Sequence, residues 1–477
     1  MTTDVRDPGE LDAQPSTWIR TELESVSLGD ERLSKRAFKI VECLAAQPQH
    51  SIPHAMGAWS ATKAAYRFLR NRNVTADKIL EPHRASTRAR IASEPVVLAV
   101  QDTTELNYTH LPAAEGLGTI GSSKKLRGML VHTTIAFTPE RVPLGVLAQQ
   151  TWIRPSEEFG TKLTRKEGPI EDKESFKWIL SLEETETLQA LHPHVRCISV
   201  GDREADMYEL FVRGLKCRSG LIVRASCDRL LDDDEKHLWP HMAALPAAAT
   251  LEMQIPHKES KKLRPASVEL RFGRVTLRPP KRLKGTYGPI EVRAVYLHEP
   301  KAPEGSEPLS WMLLTTLDVN DESEALMIVD YYSVRWSIEL FHRILKSGCR
   351  IEKRQLQTAE ALRNLLAIDS IVAWRIHQLT MLGRQMPDVP CDVVFEEHEW
   401  KALYCYVHHT RKPPEKPPSL NEATMLVARV GGFLGRKGDR RPGMTVLWRG
   451  LQGLTWLSGA WLTFGPEAEL PAEGQSP

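Results

Sequence analysis

Four polar residues of types that bind metal ions and phosphates share one side of a predicted helix, in the segment YYSVRWSIELFHRILKSG. They are Tyr332, Arg335, Glu339 and Lys346. At about 100° per residue of an ideal α-helix, they lie within roughly 60° of one another. The apolar residues occupy the opposite side, as in an amphipathic helix packed on a core. The plainer interpretation is an exposed helix face with an i,i+4 ion pair between Arg335 and Glu339.

Two aspartates each follow a short apolar run that is typical of a buried strand. Asp102 comes after VVLAVQ, and Asp202 comes after CISVG. A carboxylate in this position is costly unless it is paired, hydrogen-bonded or bound to metal. A single such Asp is most simply a turn or capping residue, and Asp206 is predicted to cap the next helix. With Glu339, however, the two aspartates make a set of three carboxylates that suits two Mg²⁺ ions at a phosphodiester.

The elements that must position these residues are predicted to form several regions. From 17 to about 75 the pattern is helical and basic, with nine Lys or Arg against five Asp or Glu, and Asp30 is a predicted N-cap. Between 95 and 226 five β-rich runs occur, with helices before and after the fourth. A second β-rich block follows at 247–317, and the chain after about 385 is again helical. The pattern predicts an α/β fold, a mixed sheet flanked by helices with an inserted antiparallel β block.

Length, net charge, cysteine content and apolar runs exclude several classes of protein. The chain has 477 residues, enough for two or three domains, and its formal net charge of +2 does not by itself indicate DNA binding. Seven cysteines without a CxxC pair argue against a zinc site or a disulfide framework. No apolar run of about 18 residues indicates a membrane span, and the polar start does not read as a signal peptide. A cytoplasmic location is therefore expected.

These motifs resemble those of the bacterial cut-and-paste DDE transposases of the insertion-sequence-four family. The spacing Tyr332-x2-Arg335-x3-Glu339-x6-Lys346 is similar to the Tyr-Arg-Glu-Lys signature of that family. LAVQDTTELNY and VGDREAD resemble its two aspartate motifs. The similarity extends from LGDERLSKR and AAYRFLRNRNV near the start to VARVGGF near the end, so it covers nearly the whole chain.

The resemblance implies an RNase H-like catalytic core in which Asp102, Asp202 and Glu339 are catalytic and bind metal. It also implies four segments: 1–16 as a disordered lead, 17–75 as a helical domain that binds transposon ends, 76–385 as the catalytic domain with a β insertion at about 232–317, and 386–477 as a helical dimerisation domain. The dimer contact is expected on the apolar face of EATMLVARVGGF, with an ordinary core helix as the alternative.

The implied reaction is metal-dependent hydrolysis at the transposon ends, then hairpin formation and resolution, then strand transfer into target DNA. The expected cofactor is a pair of Mg²⁺ ions, with Mn²⁺ as a substitute. DNA contacts are expected from Tyr332, Arg335, Lys346, Trp311, Arg224, Arg32, Arg36, Tyr66 and Arg67. Trp311 is expected to stack on a base that leaves the duplex, and its alternative role is that of a sheet-core residue.

The expected partners are double-stranded DNA, at the terminal repeats and at the target, and a second copy of the chain, at the bacterial nucleoid. The sequence departs from the family near its start: Leu33 stands where a relative carries a cation, and Trp59 and Lys63 replace acidic residues. A different terminal sequence is therefore expected. Two alternatives remain, an RNase H-like nuclease or resolvase and a catalytically weak relative that inhibits transposition. The presence of all three carboxylates favours catalysis.

Overall fold

The computed structural model describes residues 16–155, 168–232, 236–256, 263–436 and 438–466. The expected disordered lead lies outside these ranges, apart from its last residue. Contacts divide the chain into two compact units. The helical unit comprises Met1–Ser86, Ala113–Glu115 and Arg343–Pro477, and the sheet unit comprises Thr87–Pro112 and Gly116–His342. The predicted domain boundaries stay predictions, because compactness alone does not define a functional domain.

The sheet unit is built on one mixed sheet, as predicted. Its strands within the described ranges are β1 Val96–Asn107, β2 Gly118–Thr119, β3 Arg127–Phe137, β4 Pro143–Trp152, β5 Arg196–Gly201, β6 Gly220–Arg224, β7 Ala249–Pro256, β8 Leu263–Leu277, β9 Ile290–His298 and β10 Ser310–Thr315. The order across the sheet is β2-β3-β1-β5-β6-β10-β9-β8-β7, with β4 also paired to β3. Strands β1, β5 and β6 are parallel to one another, and the remaining pairs are antiparallel.

The predicted β insertion continues this sheet. Strands β7, β8, β9 and β10 pair in succession, and β10 joins them to β6. Buried and exposed residues alternate over much of β8, as expected for antiparallel strands with one face on a core. The insertion is therefore an antiparallel extension of the central sheet.

The sheet unit also contains α-helices, most of which pack on strands of the sheet. They are α6 Phe176–Leu191, α7 Tyr208–Gly214, α8 Leu238–Ala244, α9 Glu322–Ser333 and α10 Trp336–Arg343, whose last residue belongs to the helical unit. A core cluster joins α6 and α7 to the sheet through large apolar side chains that include Trp178, Phe211 and Val223. Most apolar residues of β1 and β5 are fully buried, so close packing holds these strands in place.

The helical unit is organised around one long buried helix. Its helices are α1 Thr17–Leu23, α2 Glu31–Ala46, α3 Ile52–Met56, α4 Trp59–Leu69, most of α5 Ala76–Ile91, α11 Ala359–Gln385, α12 Glu397–His408, α13 Leu420–Val430 and α14 Met444–Phe464. Most residues of α11 are buried, and α2, α4, α13 and α14 pack against it. Asp30 caps α2 as predicted, since its carboxylate accepts the Arg32 amide at 2.8 Å.

The apolar face of α13 is used inside the protomer. Leu426 and Val427 belong to a core cluster shared with α12 and α14. Helices α13 and α14 approach so closely that a Cβ at Gly450 would lie 1.8 Å from the Val427 carbonyl oxygen. The prediction that this face makes the dimer contact is therefore wrong, and the core-helix alternative holds. Large exposed apolar residues occur instead on α14, at Trp456, Leu462 and Phe464.

Two further observations concern the described residues. None of their helices combines the length and the apolar character that crossing a membrane requires. The seven cysteines carry free thiols.

Candidate active site

The segment that carries the four aligned residues is not one helix. Helix α9 ends at Ser333, a two-residue turn follows, and α10 begins at Trp336. A π-helical turn then runs over Ile344–Gly348. The prediction of a single ideal helix is wrong, because neither the turn nor the wider π-helical turn keeps the rotation of 100° per residue.

The four residues consequently lie on different elements. Tyr332 is on α9, Arg335 is in the turn, and Glu339 is on α10. Lys346 lies in the π-helical turn, which belongs to the helical unit. Its expected role beside the other three stays a prediction.

Asp102 and Asp202 occupy neighbouring positions on adjacent strands. Strands β1 and β5 are parallel and pair Val100 with Val200, so the residues two positions further along each chain segment are neighbours. Asp102 lies within β1, and Asp202 directly follows β5. Residues that are 100 positions apart in sequence are thereby brought to the same edge of the sheet.

The three carboxylates interact electrostatically. Burial raises the pKa of the Asp102 carboxyl to about 6, and the nearby Asp202 carboxylate adds to the rise. The Arg335 guanidinium and the Thr103 amide, which donates to Asp102 Oδ1 at 2.8 Å, act in the opposite direction. Glu339 makes a further contribution that raises the pKa of Asp102. The three carboxylates therefore form a partly buried cluster of like charges.

Glu339 is held by a cation from the preceding turn. Arg335 donates to Glu339 Oε1 at 2.5 Å, which is the i,i+4 pair of the plainer interpretation. The Arg335 side chain is nevertheless buried, and Asp102 also attracts its guanidinium. The pair is thus part of the carboxylate cluster as well as a local helix contact.

The donor set suits a hard divalent cation, although the side chains are not arranged as ligands. Within the described residues, no group of three or more His, Cys, Asp or Glu is placed so that it could hold a metal ion. Hard cations such as Mg²⁺ prefer carboxylate oxygens. A cation among Asp102, Asp202 and Glu339 would also offset the repulsion that, in addition to burial, raises the pKa of Asp102.

An arginine and two aromatic rings lie beside the carboxylates. Arg224, at the end of β6, donates to the carbonyl oxygen of Ser310 at 2.9 Å and interacts electrostatically with the Tyr332 hydroxyl. Its guanidinium carbon is 5.9 Å from the centre of the Trp311 ring, and the Tyr332 ring packs edge-on against Trp311 at 5.2 Å. Tyr332 is only 1% exposed, and burial raises the pKa of its phenol. Trp311 is half-buried and is not enclosed in the sheet core.

Two histidines near Asp102 escaped the sequence analysis. His342 Nδ1 is 3.7 Å from Asp102 Oδ2, and the fully buried His132 has Nδ1 2.9 Å from Thr103 Oγ1. Burial lowers the pKa of His132 well below its ordinary value. The Glu-x-x-His spacing of Glu339 and His342 was a usable signal, because residues three apart share a helix face. His132 could be found only from the pairing of β3 with β1.

Asp206 does not cap a helix. The N-cap position of α7 is Met207, which makes no side-chain hydrogen bond to the helix. The Asp206 carboxylate instead accepts the amides of Ser226 and Cys227 and pairs with Arg229 at 2.5 Å. The capping prediction is wrong, because a later segment of chain supplies more hydrogen-bond donors than the start of α7.

In the helical unit, the predicted end-binding residues lie on α2 and α4. Arg32 and Arg67 are exposed, and Arg36 and Tyr66 are half-buried. A concave surface along α4 is lined by Trp59, Thr62, Lys63, Tyr66, Arg67 and Arg70. Leu33, by contrast, is buried on the core side of α2, so packing accounts for this departure from the family.

Family models match three parts of the chain. A model for transposase DNA-binding matches residues 15–74, one for the transposase DDE domain matches 228–374, and one for the transposase Tn5 dimerisation domain matches 371–463. With the mixed sheet and its carboxylates, these matches define a DNA transposase of the DDE class, a metal-dependent nuclease and strand transferase. Together the three matches are those of a DDE transposase of the insertion-sequence-four family that resembles the transposase of transposon five.

The same matches show what the protein binds. The protein binds DNA and forms dimers, and its class generally uses divalent metal ions. The DDE match contains Glu339 but begins after Asp102 and Asp202. Roles for individual residues therefore stay predictions.

Among solved structures, the chain is similar to one described as a piggyBac transposase synaptic complex with hairpin DNA, determined by cryo-EM. The TM-score is 0.35 and the sequence identity 10%, over 96% of this chain and 82% of that chain. A TM-score this low does not establish a shared fold.

Proposed function

We propose that the protein carries out cut-and-paste transposition with an active site made of Asp102, Asp202 and Glu339. The parallel pairing of β1 with β5, which makes the two aspartates neighbours, is the observation that supports this proposal. The three carboxylates would hold two Mg²⁺ ions, with Mn²⁺ as a substitute. When bound, the metal would activate a water or 3′-hydroxyl nucleophile and stabilise the leaving oxygen. The reaction would take place in the cytoplasm, at the nucleoid, where its DNA substrate is found.

The cations beside the carboxylates would bind phosphates of the scissile strand. Arg335 would release Glu339 and donate to a phosphate oxygen, since a guanidinium binds carboxylates and phosphates with the same geometry. Arg224 would contact a second phosphate, and Tyr332, whose hydroxyl interacts with it electrostatically, would help to keep it in place and add a contact of its own. Lys346 would serve as a further phosphate contact, as the family signature implies.

Trp311 would act during hairpin formation. A hairpin requires a base to leave the stack, and stacking on an aromatic ring is worth about 1–3 kcal/mol per base. The edge-on contact with Tyr332 fixes the orientation of the Trp311 ring, and the ring is accessible in part. The position and partial exposure of the ring therefore suit stacking of a base.

The helical unit would hold the transposon end and the second subunit. Arg32, Arg36, Tyr66 and Arg67 would contact the end, and phosphate neutralisation would make binding strongly dependent on salt. The exposed apolar residues of α14 would supply the dimer contact. We further propose that each active site cuts the end held by the partner, so that cleavage waits for both ends.

The proposal is tested with purified protein and linear DNA that carries the terminal repeats of its native element. In Mg²⁺ we expect cuts at the repeats and hairpinned ends, seen on denaturing gels as strands of doubled length. A simple nuclease would cut without forming hairpins, and an inhibitor would bind the ends without cutting them. Absence of cleavage at the repeats in both Mg²⁺ and Mn²⁺ would overturn the proposal. A scrambled repeat is the matched control substrate.

A further inference from the structure

The carboxylate of Asp202 takes its direction from the turn that follows it. Asp202 begins a short 3₁₀ turn over Arg203–Ala205, and its Oδ1 accepts the Glu204 amide at 2.8 Å. Any shift of this turn would therefore rotate the carboxylate.

A buried lysine on α6 holds the same turn. Lys177 Nζ is 2.8 Å from Glu204 Oε1, and the Lys177 side chain is 5% exposed whereas that of Glu204 is 54% exposed. The ammonium also lies 5.1 Å from the centre of the Trp152 ring and 5.8 Å from that of Trp178. The lysine thus reaches out from the core, between two aromatic rings, to a side chain at the surface.

The turn also packs closely against α6. A Cβ at Gly201 would lie 2.6 Å from the Ala205 Cβ and 3.3 Å from the Trp178 ring, so the backbone before Asp202 lies close to both the turn and α6. An ion pair with one exposed partner contributes little net stability, and burying the other partner costs desolvation. Stability alone therefore does not account for a charged residue at position 177.

We infer that Lys177 is a positioning residue for metal binding, which acts through Glu204 to set the direction of the Asp202 carboxylate. This inference rests on the proposed function, in which Asp202 is a metal ligand. Residues that orient a ligand without touching the metal typically change metal affinity by about 10–100-fold when they are replaced. The partner Glu204 is required for the effect, because it links Lys177 to the turn.

Three variants separate this role from general packing. Lys177→Met keeps a long apolar stem between the two rings and removes the charge. Glu204→Gln breaks the same pair from its exposed side, where the risk to folding is small. Lys177→Arg keeps the charge and should restore part of the function. The matched control is Glu183→Gln, which breaks a pair between α6 and Arg213 at the protein surface.

The main measurement is Mn²⁺ binding to the full chain without DNA, followed by the electron paramagnetic resonance signal of free Mn²⁺. Lys177→Met and Glu204→Gln should each weaken binding by roughly tenfold or more, and Lys177→Arg by less. In cleavage assays the Mg²⁺ concentration for half-maximal rate should rise in parallel, with the rate at saturating Mg²⁺ close to that of the unaltered protein. Unchanged Mn²⁺ affinity in both pair-breaking variants, or an equal loss in Glu183→Gln, would overturn the inference.

Asp202→Asn distinguishes failure of the inference from failure of the proposed function. If this variant binds Mn²⁺ as well as the unaltered protein, the proposed metal site is wrong and the inference falls with it. If Asp202→Asn weakens binding and Lys177→Met does not, only the inference is wrong.

Discussion

Each unit of this protein contains an aspartate within a cluster of charges, fully buried in one unit and partly buried in the other, and the two clusters are balanced differently. In the helical unit, Arg354 donates to both carboxylate oxygens of Asp369, at 3.1 and 3.2 Å, and to the carbonyl oxygens of His50 and Pro48. The Arg354 and Asp369 side chains are 2% and 0% exposed. In the sheet unit, Asp102 lies among two further carboxylates, with Arg335 as the cation that opposes them.

The comparison shows that a raised pKa does not by itself identify a functional site. Burial raises the pKa of Asp102 and that of Asp369 to about 6 in each case. For Asp369 the neighbouring charge, Arg354, opposes the rise, whereas for Asp102 the neighbouring Asp202 adds to it. In a balanced cluster each charge needs its partner, so that removing one alone is costly, whereas a cluster with excess negative charge is suited to bind a cation.

The largest expected effect is on catalysis, in the unbalanced cluster. Asp102→Asn should lower Mg²⁺-dependent cleavage by roughly 1,000-fold or more, equivalent to about 4 kcal/mol, because it removes a metal ligand. Asp202→Asn and Glu339→Gln should behave in the same way. Binding to transposon ends, measured by mobility shift without metal, should stay within a few-fold, and the melting temperature should not fall, since a repulsive charge is lost. Substantial cleavage by any of the three would remove that residue from the site.

The next largest effect is on stability, in the balanced cluster. Arg354→Met should lower the free energy of unfolding by about 3–5 kcal/mol, because Asp369 is left buried without its partner. Urea titration of the full chain measures this loss. The double variant Arg354→Met with Asp369→Leu is the control and should recover much of it, as both charges are then gone. If Arg354→Met were as stable as the unaltered protein, the pair of Arg354 with Asp369 would not balance the buried charges as described.

The smallest expected effect is a loss of stability at an uncharged hydrogen-bond donor in the same helical unit. The Asn364 amide on α11 donates to the carbonyl oxygens of Leu69 at 3.0 Å and Val74 at 2.9 Å, close to the end of α4. Asn364→Leu should cost about 1–3 kcal/mol, because buried acceptors lose their donor. In the same urea titration its loss should be smaller than that of Arg354→Met. The reverse order would contradict the view that charge makes the Arg354 contact the more important one.

Local sequence patterns were sufficient to predict many elements. The buried face of α2 and its Asp30 cap follow from helical periodicity and a capping residue, and the structure confirms both. The apolar runs before Asp102 and Asp202 indicated β1 and β5 for the same local reason. The sequence also indicated the residue types at the candidate site, namely three carboxylates and arginines. Residue type alone determines which functional groups a side chain carries.

Tertiary structure alone decided which of these residues are neighbours. The register of β1 with β5 makes Asp102 and Asp202 adjacent, and Arg229 takes Asp206 away from α7. Folding also turns the apolar face of α13 inward, against α12 and α14. Periodicity and capping are interactions over a few residues, so the sequence determines them directly. The partner of a charge or an apolar face comes from a distant part of the chain, and only the folded packing selects it.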